Sequence, residues 1–233
     1  MEMDPARQEQ LLIESEIKSL LVRERYYRDT FQWDKLRECY HPDASKTWVN
    51  ITWFTGPADA FVSGSQRMSS PSSINTPASH TLTPILVHLN PARTRALTES
   101  VGSIRIRTPH TYRGVRYDVT AWGRFISRVE HVPSSSSGGG GGGGWKMLTL
   151  EVIYERDSIV PAVPVAGRAG EPPEGFEEQT KGTRESYRCL GWVLAARGYK
   201  IDQELPGTDR PETVERVMRE GFAWLEGKKG SRL

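Results

Sequence analysis

Only two cysteines occur in 233 residues, so a small disulfide-stapled scaffold is excluded. Cys39 and Cys189 each lie in helix-like sequence, outside any C-x-x-C pair or Cys/His cluster with metal-ligand spacing. Both read as reduced packing residues, which points to a reducing compartment and a cytoplasmic protein. Long hydrophobic runs are missing as well. Among the longest is Ile85 to Leu89, far short of the roughly 20 residues that cross a bilayer. Met1 to Gln10 is acidic and polar, so no secretory signal is expected there. No charge excess appears either: 31 Lys and Arg against 29 Asp and Glu leave a formal +2. That balance gives no reason to expect a nucleic-acid or other polyanionic partner. The glycine tract Gly138 to Gly144 lacks the Lys-Ser/Thr and the strand-to-helix setting of a phosphate loop. Neither a metal nor an organic cofactor is expected.

What is present changes period along the chain. Leu12, Ile13, Ile17, Leu20, Leu21 and Tyr27 recur at three- and four-residue steps, which predicts an amphipathic helix over Leu11 to Asp29. A short helix over Trp33 to Tyr40 follows and is stopped by His41-Pro42. Ser45 to Phe54 alternates and is rich in Thr, Val, Trp and Ile, so it reads as one strand. Pro57 to Met68 reads as a helix burying Phe61, Val62 and Met68, and Ser69 to Ser79 as a loop. Four long extended runs come next: His80 to Leu89, Thr94 to Arg107, Val115 to His131 and Trp145 to Val160. Turn-forming sequence divides them, which predicts an antiparallel meander.

Residues 134–144, serines then glycines, form an insertion between the last two strands. The predicted organisation is a main α+β domain over residues 8–161, a surface linker over 162–182 and a C-terminal helical hairpin over 183–227. Its first helix is capped by Gly198 and its second carries Pro211 in the first turn. This tail is expected either to act as a lid or to pack on the outer face.

Asp29 ends the first helix and His80 opens the first long strand. An imidazole abstracts protons near neutral pH when a carboxylate fixes its tautomer and stabilises its cation. No spacing rule brings these two together. His80 also reads as an ordinary polar residue at a strand start, and Asp29 as a cap of the next helix. His41 fits the helix-stopping turn, while His88, His110 and His131 read as structural or exposed.

Helix, helix, strand, helix and four antiparallel strands, in that order, resemble the nuclear transport factor 2-like (NTF2-like) superfamily. Tyr26-Tyr27-Arg28-Asp29, Trp33-Asp34-Lys35-Leu36 and His41-Pro42-Asp43-Ala44 resemble the opening of its SnoaL-like branch. His80 and Ala96-Leu97-Thr98-Glu99-Ser100 resemble that branch's later strands. The resemblance covers about Gln8 to Pro161, and the tail is similar to extensions in fungal members. It implies an NTF2-like cone, a curved antiparallel sheet wrapped around the N-terminal helices, here with a C-terminal helical extension. Scytalone dehydratase and bile acid dehydratases pair an aspartate of the first helix with a sheet histidine, and Asp29 and His80 occupy the matching places. Two departures stand out. Arg28 replaces the tyrosine that scytalone dehydratase has before its aspartate, and a second histidine on the next strand is missing.

The resemblance therefore implies a dehydratase, isomerase or cyclase acting on a small polyketide-like, aromatic or terpenoid carbonyl compound. His80 is the expected base, Asp29 its orienter, and Tyr27, or another donor such as Tyr117, the donor to an enolate oxygen. Tyr26, Trp48, Trp53, Glu99, Tyr117 and Trp122 are the expected pocket residues. A small-molecule substrate is the expected partner, with homodimers or homotrimers formed through the open sheet face. The competing expectation is a non-catalytic binding or protein-interaction module of the same fold.

Overall fold

A computed structural model of the chain describes residues 4–69, 78–134, 143–163 and 171–228. The first helix, α1 (Pro5–Asp29), opens with proline in its first turn, where the missing N–H removes no intrahelical bond. It buries Ile17, Leu20, Leu21, Glu24 and Arg25. Phe31 takes a left-handed conformation (φ 62°), and the Gln32 amide turns back to the Tyr27 carbonyl at 2.8 Å. This is the usual way a helix stops, with phenylalanine in the place glycine commonly fills. The turn ends α1 just beyond Asp29 and starts α2 (Trp33–Glu38).

The predicted strand over Ser45 to Phe54 is corrected to a hairpin. After a 3-10 turn at Ala44–Lys46, β1 (Trp48–Ile51) pairs with β2 (Phe54–Gly56), and Thr52-Trp53 make the reversal. The Thr52 amide donates to the Tyr154 hydroxyl at 2.9 Å, a bond that satisfies the turn's backbone inside the protein. Next comes α3 (Ala58–Met68), with Phe61 and Val62 buried as expected and Met68 partly so.

The meander is present as β3 (Ala78–Leu89), β4 (Arg95–Arg107), β5 (Tyr117–Val132) and β7 (Thr149–Pro161). The run from Trp145 to Val160 is two strands, because β6 (Gly144–Met147) and β7 meet β5 in registers that differ by one residue at Leu148. Sheet order is β2-β1-β7-β5-β4-β3, with β6 on β5 and with β1 parallel to β7. Three expectations fall partly outside the described residues: the loop at 70–77, the insertion at 135–142 and the linker at 164–170.

Curvature has a local cause. Gly102 of β4 faces Gly123 of β5. A Cβ on Gly102 would stand 2.3 Å from the Thr81 carbonyl oxygen and 2.7 Å from Phe125, and one on Gly123 2.5 Å from the Ile153 oxygen. The strands bend together here because both side chains are absent. Gly102→Ala is therefore expected to destabilise the fold by about 3 kcal/mol or more, since the clash is with backbone. Urea denaturation checks it, and an unchanged midpoint would show that the sheet yields easily.

The sheet wraps its concave face around α1, α2 and α3, which is the NTF2-like cone. The two helices of the tail pack on opposite faces of the sheet and not against each other as the expected hairpin. A 3-10 turn at Glu185–Tyr187 leads into α5 (Arg188–Ala195), and α5 sits on the concave side, held where Asp157 accepts the Leu190 amide at 2.8 Å. Leu190 and Leu194 line the cavity beneath it. The last helix, α6 (Pro211–Leu225), packs Val217, Trp224 and Leu225 on the outer face against Leu97, Ile126, Leu148 and Ile153. Gly221 lets the helix approach Leu97 closely. This helix covers part of the face through which sheet-to-sheet pairing was expected. The linker expected at the surface is anchored by α4 (Phe176–Gln179), whose buried Phe176 meets Trp192 at 5.5 Å between ring centroids.

Candidate functional site

Asp29 and His80 meet. Asp29 Oδ1 lies 2.6 Å from His80 Nδ1, and Asp29 Oδ2 accepts the His80 backbone amide at 2.7 Å. Both carboxylate oxygens thus grip one residue, fixing the ring and its strand relative to α1. A carboxylate at a helix C-terminus is opposed by the helix dipole, so two hydrogen bonds here offset a placement that local sequence disfavours. Because the acceptor is a carboxylate, Nδ1 carries the proton and Nε2 keeps its lone pair. Among the described residues, none hydrogen-bonds Nε2. The His80 side chain is 2% exposed and that of Asp29 18%.

His80 opens on a cavity whose empty space is about 470 Å³, its open mouth included. Its apolar wall comes from Ile104 and Ile106 of β4, Phe125 of β5, Leu150 and Val152 of β7, and Leu190 and Leu194 of α5. Polar groups are Arg28, Thr52, Tyr154 and Arg197. A mostly apolar wall with a few convergent polar groups is the usual make-up of a small-molecule site. Ile104 is the residue paired with His80 across β3 and β4, so an aliphatic side chain fills the neighbouring strand position. The cavity holds a single imidazole among its lining residues.

Electrostatics follow from burial. Loss of water, and then the charge of Arg28, outweigh the Asp29 carboxylate and bring the His80 pKa down to about 4. The imidazole is consequently neutral across physiological pH. Arg25, buried behind Arg28, is lowered to about 10 by the same desolvation. It forms an ion pair with Glu24, which also accepts the Tyr40 hydroxyl at 2.8 Å. Tyr154 is raised by burial.

Of the expected pocket residues, Trp53 lines the cavity. The others are corrected. Tyr27 lies off the face of α1 that carries Arg25, Arg28 and Asp29; its ring sits under Lys35 Nζ at 5.7 Å. Tyr26, on the same outer side, is 58% exposed. Trp48 is at the exposed start of β1. Glu99 shares the outer face with Leu97 and accepts from His88 Nε2 at 2.9 Å. Trp122 is on the outer face too, under Arg156. Tyr117 is buried at the sheet's end against Tyr112, outside the cavity lining. Tyr154, Thr52, Arg28 and Arg197 were missed. Alternation along Leu150, Val152 and Tyr154 was the available signal for the tyrosine; nothing local marked Arg197.

Among the described residues no helix is long and apolar enough to cross a membrane, and no group of three or more His, Cys, Asp or Glu has the arrangement of a metal site. An uncharacterised protein of Emericella nidulans is 27% identical over 212 residues, covering 87% of this chain and 82% of its own. A structure from Novosphingobium aromaticivorans, provisionally described as a scytalone dehydratase, aligns at 17% identity over 71% of this chain and 97% of its own, with a TM-score of 0.49. A variant of Rv3472 of Mycobacterium tuberculosis, a protein of unknown function, aligns at 14% identity over 87% and 98%, also with a TM-score of 0.49. Neither structural likeness carries weight for the chemistry. The family model described as a SnoaL-like domain matches residues 9–151, more than half of the 233 residues, and the chain belongs to the SnoaL-like family.

Proposed function

We propose that the protein is an enzyme in which neutral His80 abstracts a proton from carbon beside a substrate carbonyl, as a dehydratase, isomerase or cyclase. The observation that carries this reading is the 2.6 Å contact between Asp29 and His80 Nδ1 at the wall of a largely apolar cavity. Nε2 takes the proton, the C–H electron pair moves into an enolate, and the resulting imidazolium is stabilised by Asp29. That imidazolium then returns the proton. Delivered to a β-hydroxyl it releases water; to another carbon it completes an isomerisation; to the alkoxide of an intramolecular addition it completes ring closure. Elimination breaks the Cβ–O bond as the enolate pair forms the Cα=Cβ bond, and closure uses the same pair to form a C–C bond, so the net reaction calls for no oxidant or reductant. With Ile104 opposite, acid and base duties fall to the same imidazole in turn.

An untargeted metabolite comparison between cells making the wild type and cells making His80→Ala tests the reading. A compound that accumulates in the variant, and is consumed by purified wild type, identifies substrate and reaction together. Identical profiles with equal consumption by both proteins would refute it.

The depressed pKa gives a second check. The acid limb of kcat/KM is expected near pH 4, not near the 6.5 of a free imidazole. Stability should follow the same group. Unfolded His80 takes a proton near pH 6.5, whereas folded His80 does so only near 4, so the unfolded state binds more protons between those values. The contribution is fully present above about 6.5 and is lost as pH falls to about 4, on the order of 3 kcal/mol for a shift of that size. Thermal melts of wild type and His80→Asn across this window measure it; parallel pH dependences would show that His80 is not held neutral.

A further inference from the structure

Arg28 lines the cavity with Thr52, Tyr154 and Arg197, polar groups that the base mechanism does not use. Its guanidinium lies 4.9 Å over the Phe61 ring and 6.0 Å from the centroid of Trp53, and it lines the cavity with His80. Aromatic faces hold a planar cation in place and leave its N–H edge free to point elsewhere. Two other buried arginines of this chain have carboxylate partners: Arg25 has Glu24, and Arg184 has Asp209. The Arg28 guanidinium makes no hydrogen bond and no ion pair with any of the described residues. The carboxylate beside it in sequence, Asp29, has both oxygens engaged by His80. Desolvation outweighs the nearby Asp29 charge and lowers the Arg28 pKa. Yet the residue keeps accessible surface, so a ligand in the cavity can reach it.

We propose that Arg28 is the anion-recognition residue of this cavity, and that the ligands are compact, largely apolar molecules carrying one planar oxyanion, either a carboxylate or the enolate of a 1,3-dicarbonyl. This rests on the reading of the cavity as the substrate site and names the class of substrate it takes. A guanidinium stacked on rings presents two parallel N–H groups in one plane, and these two anions present two oxygens at matching separation. Ile104, Ile106, Leu190 and Leu194 then require the remainder of the molecule to be hydrocarbon-like. The empty space of about 470 Å³, open mouth included, restricts the molecule to a compact one. The anion would also cancel the positive charge that weakens His80 as a base. Binding and base strength are thereby linked through one side chain.

The test compares two probes of nearly identical shape, 1-naphthoate and 1-naphthamide, titrated into the full chain near pH 7.5 by calorimetry. The wild type is expected to bind 1-naphthoate at least about tenfold more tightly than the amide, the scale of a charge-assisted bidentate pair. Arg28→Lys should keep part of that preference and Arg28→Met should remove it, with circular dichroism confirming that each variant is folded. Equal affinity of the wild type for both probes, including no binding of either, would overturn the proposal without any variant being needed. A preference that survives in folded Arg28→Met would overturn it as well. His80→Asn should retain the preference while losing turnover, so failure of the anion site and failure of the base are read in separate experiments.

Discussion

His80→Ala is expected to lower turnover by about 10³-fold, within the range that a positioned general base contributes, while the far-ultraviolet circular dichroism stays that of the wild type. Truncation also leaves Asp29 Oδ1 without its 2.6 Å partner, so some loss of stability will accompany the loss of rate. His80→Asn separates the two effects. Its amide N–H can still donate to Asp29, but it has no basic nitrogen, so it should fold as well as the wild type and be as inactive as alanine. Asp29→Asn gives the complementary result. The backbone amide of His80 keeps an acceptor, but the ring loses the charge that selects the Nδ1–H tautomer and stabilises the imidazolium. A drop of about 10²-fold or more is expected there, because a mis-set tautomer points a proton, not a lone pair, at the substrate. Consumption of the substrate found in the metabolite comparison is the measurement. Turnover at wild-type rate in either His80 variant would rule out the imidazole as the base.

The dyad was legible because two weak local signals, a helix end and a strand start, coincide with a family pattern. Local sequence alone favoured other roles for both residues. The meander, α1 and the glycine cap at Gly198 (φ 85°) followed from period and turn chemistry. Side-chain direction was harder to read. On α1, Arg25, Arg28 and Asp29 form one face at three- and four-residue spacing, and Tyr26 and Tyr27 necessarily lie off it. On β4, Glu99 shares the parity of Leu97, and α6 supplies the apolar partner that makes that face the outer one. Both parities were present in the sequence, but which face was inward depended on packing across the whole chain. The hairpin at Thr52-Trp53 is of the same kind. The turn is held by Tyr154, 102 residues away, and no local residue choice announces it. Arg197 reaches the cavity because α5 folds over the concave face, a placement set by Asp157 and by the arginine and tyrosine bonds of the tail.

Glu24→Gln is expected to cost about 3–5 kcal/mol of stability, the penalty for removing one member of a buried ion pair. Glu24 is 0% and Arg25 4% exposed. Glutamine keeps the shape and can still accept the Tyr40 hydroxyl, so the substitution removes charge more than packing. What remains is a guanidinium on the Phe125 ring at 5.0 Å, dehydrated and without its counter-ion. At roughly 2–4 °C per kcal/mol for a chain of this size, the melting temperature should fall by about 10 °C. The same substitution reaches the site, since the charge of Arg25 already acts to lower the His80 pKa. With Glu24 neutral, that charge is less compensated, and the imidazole should become a weaker base. Turnover per folded molecule at neutral pH is then expected to drop several-fold, in keeping with the dependence of proton abstraction on base strength. Arg25→Met added to Glu24→Gln should recover much of the stability, because an apolar side chain replaces the abandoned cation. If the double variant melts no higher than Glu24→Gln, the stability resides in packing around Glu24 and not in the pair. If it recovers, α1 carries buried charge as a matched set: Glu24 balances Arg25, Asp29 is committed to His80, and Arg28 is left facing the cavity.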